Sequence, residues 1–262
     1  MTRAEALRTS GLEPREARLL LAHAAGLSEA QVIAFPEKQL PAGVAARFAE
    51  HASRRRAGEP LAYIVGEKEF FGLSLVVTPA VLIPRPETEL LVELALERAF
   101  ASAADLGTGS GAIALAVKKH RPAAQVVAVD ASAAALEVAR RNAARLGLEV
   151  DFREGRWCEP LGAERFQLIV ANPPYVAMGD RHLAELRFEP VAALVAGADE
   201  LEALREIART APSHLTPGGW LLLEHGIGQA AGVRRLLDDA GLEDAHTWPD
   251  LAGIPRVTGA RR

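Results

Sequence analysis

The sequence has little cysteine and few aromatic residues. Its 262 residues include one cysteine, Cys158, and aromatic residues make up 5% of the chain. A single cysteine excludes an intrachain disulfide, and we expect the protein in a reducing compartment, the cytoplasm. The chain also lacks a run of about 20 apolar residues, so we predict no membrane-spanning helix. Its first residues enter an amphipathic stretch and not an apolar signal-peptide core, so we predict no signal peptide.

Positive charge is not in excess either. The chain has 30 lysines and arginines against 34 acidic residues, a net charge of -4. Because nucleic-acid-binding proteins usually carry a basic surface, we expect no direct binding of nucleic acid. We interpret the basic run Arg54-Arg55-Arg56 as a solvated helix face. With 49% hydrophobic residues the chain can bury a large core. We also expect the protein to be a monomer.

The histidines are scattered, and their spacing is not that of a metal site, so we predict no metal. We interpret Cys158 as a small apolar core side chain and His225 as a structural histidine. The other scattered histidines include His23, His51, His182, His214 and His246.

The first sixty residues show helical periodicity. We predict helices over residues 14–25, from an N-cap at Ser28 through Ile33, and over residues 41–57. These predict a helical bundle domain over residues 1–60. Short apolar runs broken by glycine follow, which indicate a linker with a β-hairpin or bridging strands over residues 61–84. A second domain is predicted over residues 85–262, beginning with a helix from Pro86 to about Phe100.

Strand and helix patterns alternate in this second domain, which predicts a doubly wound, mostly parallel sheet. The two last strands have no long helix between them, which favours an antiparallel pair and brings the sheet to seven strands. Predicted strands are 102–106, 125–130, 149–153, 166–171, 220–224, 244–248 and 256–260, and predicted helices are 110–120, 133–146, 200–215 and 229–240.

A glycine-rich loop follows the first strand of this sheet and opens a helix. Glycines let the backbone approach a ligand, and the helix N-terminus offers free N–H groups to an anionic end. Asp130 ends the next strand, where a carboxylate can accept from both ribose hydroxyls of a nucleoside. The spacing of Gly107, Gly109 and Ala112 also fits a dinucleotide site, which leaves a dehydrogenase open. The candidate cofactor residues of the loop are Gly107, Thr108, Gly109, Ser110 and Gly111.

The tetrapeptide Asn172-Pro173-Pro174-Tyr175 follows a buried strand directly. The prolines end the strand and stiffen the turn, so a polar and an aromatic side chain are held at the ligand-binding edge of the sheet. The tetrapeptide resembles the substrate clamp of methyltransferases that act on planar, conjugated nitrogens. Together with the antiparallel sheet end, it favours S-adenosylmethionine (SAM) over a dinucleotide.

The tetrapeptide suits methylation of an amide. An amide nitrogen is a poor nucleophile because its lone pair is delocalised into the carbonyl. We predict that the Asn172 side-chain oxygen and the Pro173 carbonyl accept its two N–H protons, and that Tyr175 stacks on the amide plane. Since the N–H groups become stronger donors as the nitrogen attacks, these acceptors stabilise the transition state more than the ground state.

Nearly the whole chain resembles the peptide chain release factor glutamine methyltransferases. The block Leu82-Ile83-Pro84-Arg85-Pro86-Glu87-Thr88-Glu89, ahead of the glycine loop, is the most specific part of the resemblance. The tetrapeptide alone is shared with adenine and guanine amino methyltransferases. The other matching segments are 59–64, 66, 69–72, 105–111, 188–190, 193–194, 223–226, 229, 250–253 and 256–257.

The resemblance implies methyl transfer from SAM, leaving S-adenosylhomocysteine, to the glutamine amide of the Gly-Gly-Gln motif of bacterial class 1 release factors. It implies that residues 107–111 and Asp130 bind SAM, that Trp157 lies near the adenine, and that residues 172–175 hold the glutamine, with Asn172 also in contact with the cofactor. It further implies that Arg85 and Glu89 line the cofactor side of the pocket, although a capped, salt-bridged helix start is an equal alternative. The helical domain would help to recognise the release factor.

Three segments depart from the family pattern. Arg156 stands where an acid that could accept from the adenine amine is usual. A second glycine and a closing glycine are usual where the chain reads Ala196-Gly197-Ala198-Asp199-Glu200, and Pro255 stands in place of a usual acid. Two further alternatives remain open at this point, an amino methyltransferase acting on adenine or guanine in nucleic acid and a non-catalytic binding module.

Overall fold

The computed structural model describes residues 1–179, 183, 186–197 and 199–262. The chain divides into two compact units, Met1–Glu67 and Lys68–Arg262. Two positions named above, His182 and Ala198, lie outside the described residues. Among the described residues, no helix combines the length and the apolar character needed to cross a bilayer.

The first unit is helical, as the periodicity predicts. Ser28 begins its third helix with a capping box, since its hydroxyl accepts from Gln31 N and the Gln31 side chain accepts from Ser28 N. Its core contains Leu20, Val32 and Phe48, all nearly inaccessible to solvent. The helices are α1 (Arg3–Thr9), α2 (Pro14–Ala25), α3 (Glu29–Ala34), α4 (Ala42–Arg56) and α5 (Leu61–Val65).

Helix α5 corrects one prediction, because residues 61–65 belong to the helical unit and not to a strand. A five-residue apolar run is too short for its periodicity to separate helix from strand. Pro60 precedes its first turn, Gly66 ends it with φ 80°, and Ile64 is buried in the helical core. The predicted hairpin lies just after it, as β1 (Glu67–Phe70) and β2 (Leu73–Val76).

The second unit contains the predicted seven-stranded sheet, in the order β5-β4-β3-β6-β7-β9-β8. Strand β9 runs antiparallel to both β7 and β8, and the pairs from β5 to β7 are parallel, which confirms the predicted antiparallel end. The strands are β3 (Ser102–Leu106), β4 (Gln125–Asp130), β5 (Asp151–Glu154), β6 (Phe166–Ala171), β7 (Leu215–Glu224), β8 (Glu243–Pro249) and β9 (Pro255–Arg261).

Helices cover both faces of this sheet. Successive side chains of a strand point to opposite faces, so Leu222 joins one core with Leu115, while Leu221 joins the other with Leu204. The helix predicted from Pro86 begins as a 3₁₀ turn, Pro86–Thr88, and ends earlier than predicted. The helices are α6 (Glu89–Leu96), α7 (Ala112–His120), α8 (Ala133–Leu146), α9 (Glu202–Thr210) and α10 (Ala230–Asp239).

The topology places four chain segments at one edge of the sheet. Strands β3, β4, β6 and β7 are parallel, so their carboxyl ends meet there. The strand order reverses between β3 and β6, and in open α/β sheets ligands bind at such a switch point. The glycine loop, Asp130 and Asn172 follow or end three of these strands.

Candidate active site

The glycine loop is fastened to the end of β4 through its main chain. Gly107 N and Thr108 N both donate to the Val129 carbonyl, at 2.8 and 2.9 Å. Gly107 and Gly109 have φ of 80° and 55°, values that favour glycine. A Cβ on Gly107 would lie 3.2 Å from the Trp157 ring, so the bare backbone also makes room for that ring.

Asp130 is held by the same loop. Its carboxylate accepts from Gly109 N at 2.8 Å and from Ser132 N at 2.9 Å. Burial raises the pKa of Asp130, and these two hydrogen bonds act in the opposite direction. The carboxylate is therefore fixed in place at the strand end before any ligand is bound.

A cavity of about 380 Å³ lies at this edge of the sheet, within the range of small-molecule sites. It brings together six of the predicted site residues, namely Gly107, Gly109, Asp130, Trp157, Asn172 and Pro174. The rest of the wall is formed by residues that were not among the predicted site residues. It comprises Ala80, Val81, Leu82, Ala131, Ser132, Ala135, Gly155, Arg156, Pro190, Ala192, Ala193, Val195, Ala196 and Ala203.

Three loop residues of the prediction are not among the residues that line this wall, and they hold the loop from within. The Thr108 hydroxyl donates to buried Asp105 at 2.7 Å. The Ser110 carbonyl accepts from Asn142 Nδ2 at 2.9 Å, and a Cβ on Gly111 would lie 3.2 Å from Ala139. Burial raises the pKa of Asp105 to about 7, against the hydrogen bonds from Thr108 and Ala114 N.

Trp157 is positioned by a residue that the sequence did not indicate. Its indole N–H donates to Glu206 Oε2 on α9 at 3.1 Å, and its backbone has φ 48°. The same oxygen accepts from Arg156 Nη2 at 2.6 Å. Arg156 is thus paired with Glu206, and both hold the Trp157 side of the cavity.

Asn172 has its amide nitrogen committed to one partner. Asn172 Nδ2 donates to Thr88 Oγ1 at 3.0 Å, and Thr88 is buried. Since Asn172 also lines the cavity, its other polar atom, Oδ1, is left to accept. This is the orientation that the predicted acceptor role requires.

Glu224, at the end of β7, lies beside Thr88 and Asn172. It is 1% exposed, and its Oε2 has no hydrogen-bond partner. Burial raises the pKa of Glu224 to about 7, while hydrogen bonding to Thr88 and Asn172 and the charge of Arg256 lower it. Glu224 lies in one of the segments that resemble the family, 223–226, but the sequence did not predict it as a site residue.

Tyr175 and Pro173 are absent from the residues that line the cavity in the described chain. The Tyr175 carbonyl accepts from Gln229 Nε2 at 3.0 Å, and a Cβ on Gly226 would lie 3.1 Å from the tyrosine ring. Burial raises the pKa of Tyr175 to about 12, so the phenol is neutral. Its stacking on an amide stays a prediction.

The structure does not bring Arg85 and Glu89 to the cavity wall. Glu89 Oε1 accepts from Phe71 N in the turn of the β1–β2 hairpin, at 2.9 Å. Arg85 pairs with Glu189, whose other oxygen accepts from Ile83 N. These contacts support the alternative of a salt-bridged helix start.

His225 is a structural histidine, as predicted. It is fully buried, with Nδ1 3.0 Å from the Gly226 carbonyl and Nε2 2.9 Å from Thr258 Oγ1. Within the described residues, no three histidine, cysteine or acidic side chains are grouped as metal ligands.

Two family models match the chain, one in each unit. Residues 86–230 match the methyltransferase small domain, and residues 3–66 match the PrmC N-terminal domain. The first covers more than half of the chain. The glycine spacing had left a dehydrogenase open, and this match decides for a methyltransferase.

Solved structures resemble the chain in fold. A methyltransferase from Pyrococcus furiosus has a TM-score of 0.58 and 19% identity, covering 81% of this chain and 98% of its own. The 16S rRNA N2 G1207 methyltransferase of T. thermophilus, solved with AdoMet and guanosine, has a TM-score of 0.56 and 22% identity, covering 75% of this chain and 49% of its own.

Relatives in sequence are much closer. The release factor glutamine methyltransferase of Burkholderia pseudomallei is 50% identical, covering 99% of this chain and 96% of its own. That of Bordetella pertussis is also 50% identical, covering 95% of each chain. With this identity across both units, the chain belongs to the release factor glutamine methyltransferase family.

Proposed function

We propose that this chain transfers a methyl group from SAM to the side-chain amide of the glutamine in the Gly-Gly-Gln motif of class 1 release factors. The observation that carries the proposal is the cavity at the sheet edge. It joins Asp130 and the glycine loop at one end to Asn172 at the other. The names of the full-length relatives support the choice of substrate.

The residues present fit SAM. Asp130 is fixed to accept from the ribose hydroxyls, and the bare backbone of Gly107 leaves space under the Trp157 ring for close packing. We assign the adenine to the Trp157 side of the wall, where the ring is held by Glu206. When bound, SAM supplies an electrophilic methyl group on a sulfonium.

Asn172 and Pro173 act on the amide nitrogen. Asn172 Oδ1 and the Pro173 carbonyl would accept its two N–H protons and turn its lone pair toward the methyl donor. Because the proline-braced turn and Thr88 fix these acceptors beforehand, little reorganisation is needed during the reaction. The amide proton becomes acidic only as the nitrogen is alkylated, so no strong base is required before attack.

The helical unit is assigned to recognition of the release factor. The match of residues 3–66 to a domain model of this family supports the assignment. We further propose that the enzyme works as a monomer in the cytoplasm and does not bind nucleic acid directly.

The test is incubation of the purified protein with labelled SAM and a release factor, followed by peptide mapping. We expect label on the Gly-Gly-Gln glutamine. Label on any other residue, or on RNA added as a competitor, would contradict the substrate assignment. Absence of transfer despite SAM binding would indicate a non-catalytic binding module.

A further inference from the structure

We infer that Thr88 and Glu224 are positioning residues that fix which way the Asn172 carboxamide faces. The inference rests on the proposed function, in which Asn172 Oδ1 accepts an N–H of the substrate amide. It adds two buried groups that do not line the cavity and act through Asn172.

A carboxamide needs a partner to define its orientation. Its oxygen and nitrogen ends are nearly the same in shape but opposite in hydrogen bonding. If the Asn172 side chain turned over, it would present N–H groups to a substrate that also offers N–H groups. Thr88 Oγ1, 3.0 Å from Asn172 Nδ2, accepts from the nitrogen end and so selects the productive orientation.

The Thr88 hydroxyl can itself act as donor or acceptor, so its own direction must be set. The buried carboxylate of Glu224 interacts with both Thr88 and Asn172, and each of them lowers its pKa. An ionised carboxylate only accepts. An ionised Glu224 would therefore draw the Thr88 proton to its own side and leave the Thr88 lone pairs for Asn172 Nδ2.

Burial of Glu224 is costly and demands an explanation. The residue is 1% exposed, with one carboxylate oxygen unpaired. The charged groups that face it are Arg256, which favours the carboxylate, and Glu87, which opposes it. Tyr175 faces it as a neutral phenol. A buried acid that orients the Thr88 hydroxyl accounts for its presence better than a packing role, which a leucine would fill.

The first test compares Thr88→Val with Thr88→Ser in single-turnover methyl transfer to the release factor. Valine keeps the shape but cannot accept from Asn172, so we expect the rate to fall about 10- to 100-fold. Serine keeps the hydroxyl, so the rate of Thr88→Ser should stay within about threefold of the wild-type rate. A loss of that size is what removal of one methyl group would cause. Calorimetric SAM affinity should be unchanged in both. Equal rates for the two variants would overturn the inference.

The second test uses the ionisation of Glu224. The wild-type rate should rise as pH increases through the range in which this carboxyl ionises, near pH 7. Glu224→Gln cannot become ionised, so its rate should be lower and independent of pH over the same range. A Glu224→Gln profile that still rises like the wild type would overturn the role of this acid.

A double variant separates this inference from the proposed function. In the Asn172→Ala background, Thr88→Val should cause no further loss, because Thr88 acts only through the Asn172 carboxamide. Additive losses would overturn the inference alone. Full activity of Asn172→Ala would instead refute the assignment of Asn172 to the substrate, and with it the proposed function of this site.

Discussion

The two ends of the cavity are held in place by different kinds of contact. At the glycine-loop end, main-chain N–H groups of Gly107, Thr108 and Gly109 bind the end of β4. At the amide end, which we define by Thr88, Asn172 and Glu224, the contacts come from side chains. Asn172, directly after β6, donates to Thr88 of the 3₁₀ turn, and Glu224 at the end of β7 interacts with both. The first end is therefore fixed largely by backbone shape, whereas the second depends on particular side-chain functional groups.

The difference predicts which step each end controls. Changes at the loop end should affect SAM affinity through backbone shape. Changes at the amide end should affect the rate of transfer with SAM bound. A variant at either end that changed SAM affinity and the transfer rate equally would contradict this division between the two ends.

The largest effect is expected for Asn172→Ala. Removing a preorganised polar group of this kind costs about 10²- to 10³-fold in rate, so single-turnover transfer should be nearly abolished. SAM affinity, measured by calorimetry, should stay within about threefold, because no charged partner of the cofactor is lost. Equal loss of transfer and SAM binding would contradict the assignment of Asn172 to the amide end.

The loop end is tested by Gly107→Ala. The added Cβ combines an unfavourable φ of 80° with a 3.2 Å approach to Trp157. We expect SAM affinity to fall about tenfold, from 1–2 kcal/mol of strain and displacement. Gly147→Ala is the matched control, since Gly147 has φ 65° with nothing within 4 Å of its Cβ. Gly147→Ala should lower the Tm without changing SAM affinity. If it also weakened SAM binding, the effect of Gly107→Ala could not be assigned to the contact with Trp157.

The loop end could be predicted from sequence, and the amide end only in part. The loop, its strand and Asp130 lie within a short stretch, where glycine and strand-end signals are local. Asn172 was found because prolines mark its turn. Its partners Thr88 and Glu224 lie on other elements, and Glu206 is far along the chain from the Trp157 that it positions. Such contacts arise from the fold and leave no local pattern.

The same limit explains the errors in secondary structure. The run 61–65 is apolar whether it forms a strand or the helix α5, and only its packing into the helical core decides. The alternating strands and helices were predicted correctly. Strands β3, β4 and β6 are buried on both faces and read as apolar runs, and the helices beside them show a clear helical periodicity of apolar residues. For Arg85 and Glu89 the sequence left two alternatives open, because it does not reveal their partners, Glu189 and Phe71.

A smaller effect is expected for Glu206→Ala, which tests whether a side chain matters at the loop end. The variant removes the acceptor of the Trp157 N–H, a partly exposed hydrogen bond worth about 0.5–1.5 kcal/mol. We expect SAM affinity to fall about three- to tenfold, with the rate at saturating SAM unchanged. Arg209→Ala, on the same helix and exposed, is the control. A loss in rate without a loss in affinity would place Glu206 in the amide-end group.

The smallest effect, on stability, concerns the amide end. Burial raises the pKa of Glu224 from its ordinary 4.5 to about 7, so the folded state binds its proton more tightly than the unfolded state. This contribution to stability is complete below about pH 4.5 and is lost as pH rises through about 7. Asp105, with its pKa also raised to about 7, contributes with the same sign.

Glu224→Gln should therefore raise the Tm by a few degrees at pH 8 and by less at pH 5, because the neutral amide avoids the cost of a buried charge. The decline in wild-type Tm between these values should become shallower but not vanish, since Asp105 is still present. A lower Tm at pH 8 would mean that the ionised carboxylate is well paired, contrary to its unbonded oxygen. A more stable but slower enzyme would show that the amide end keeps a destabilising acid for its effect on Asn172.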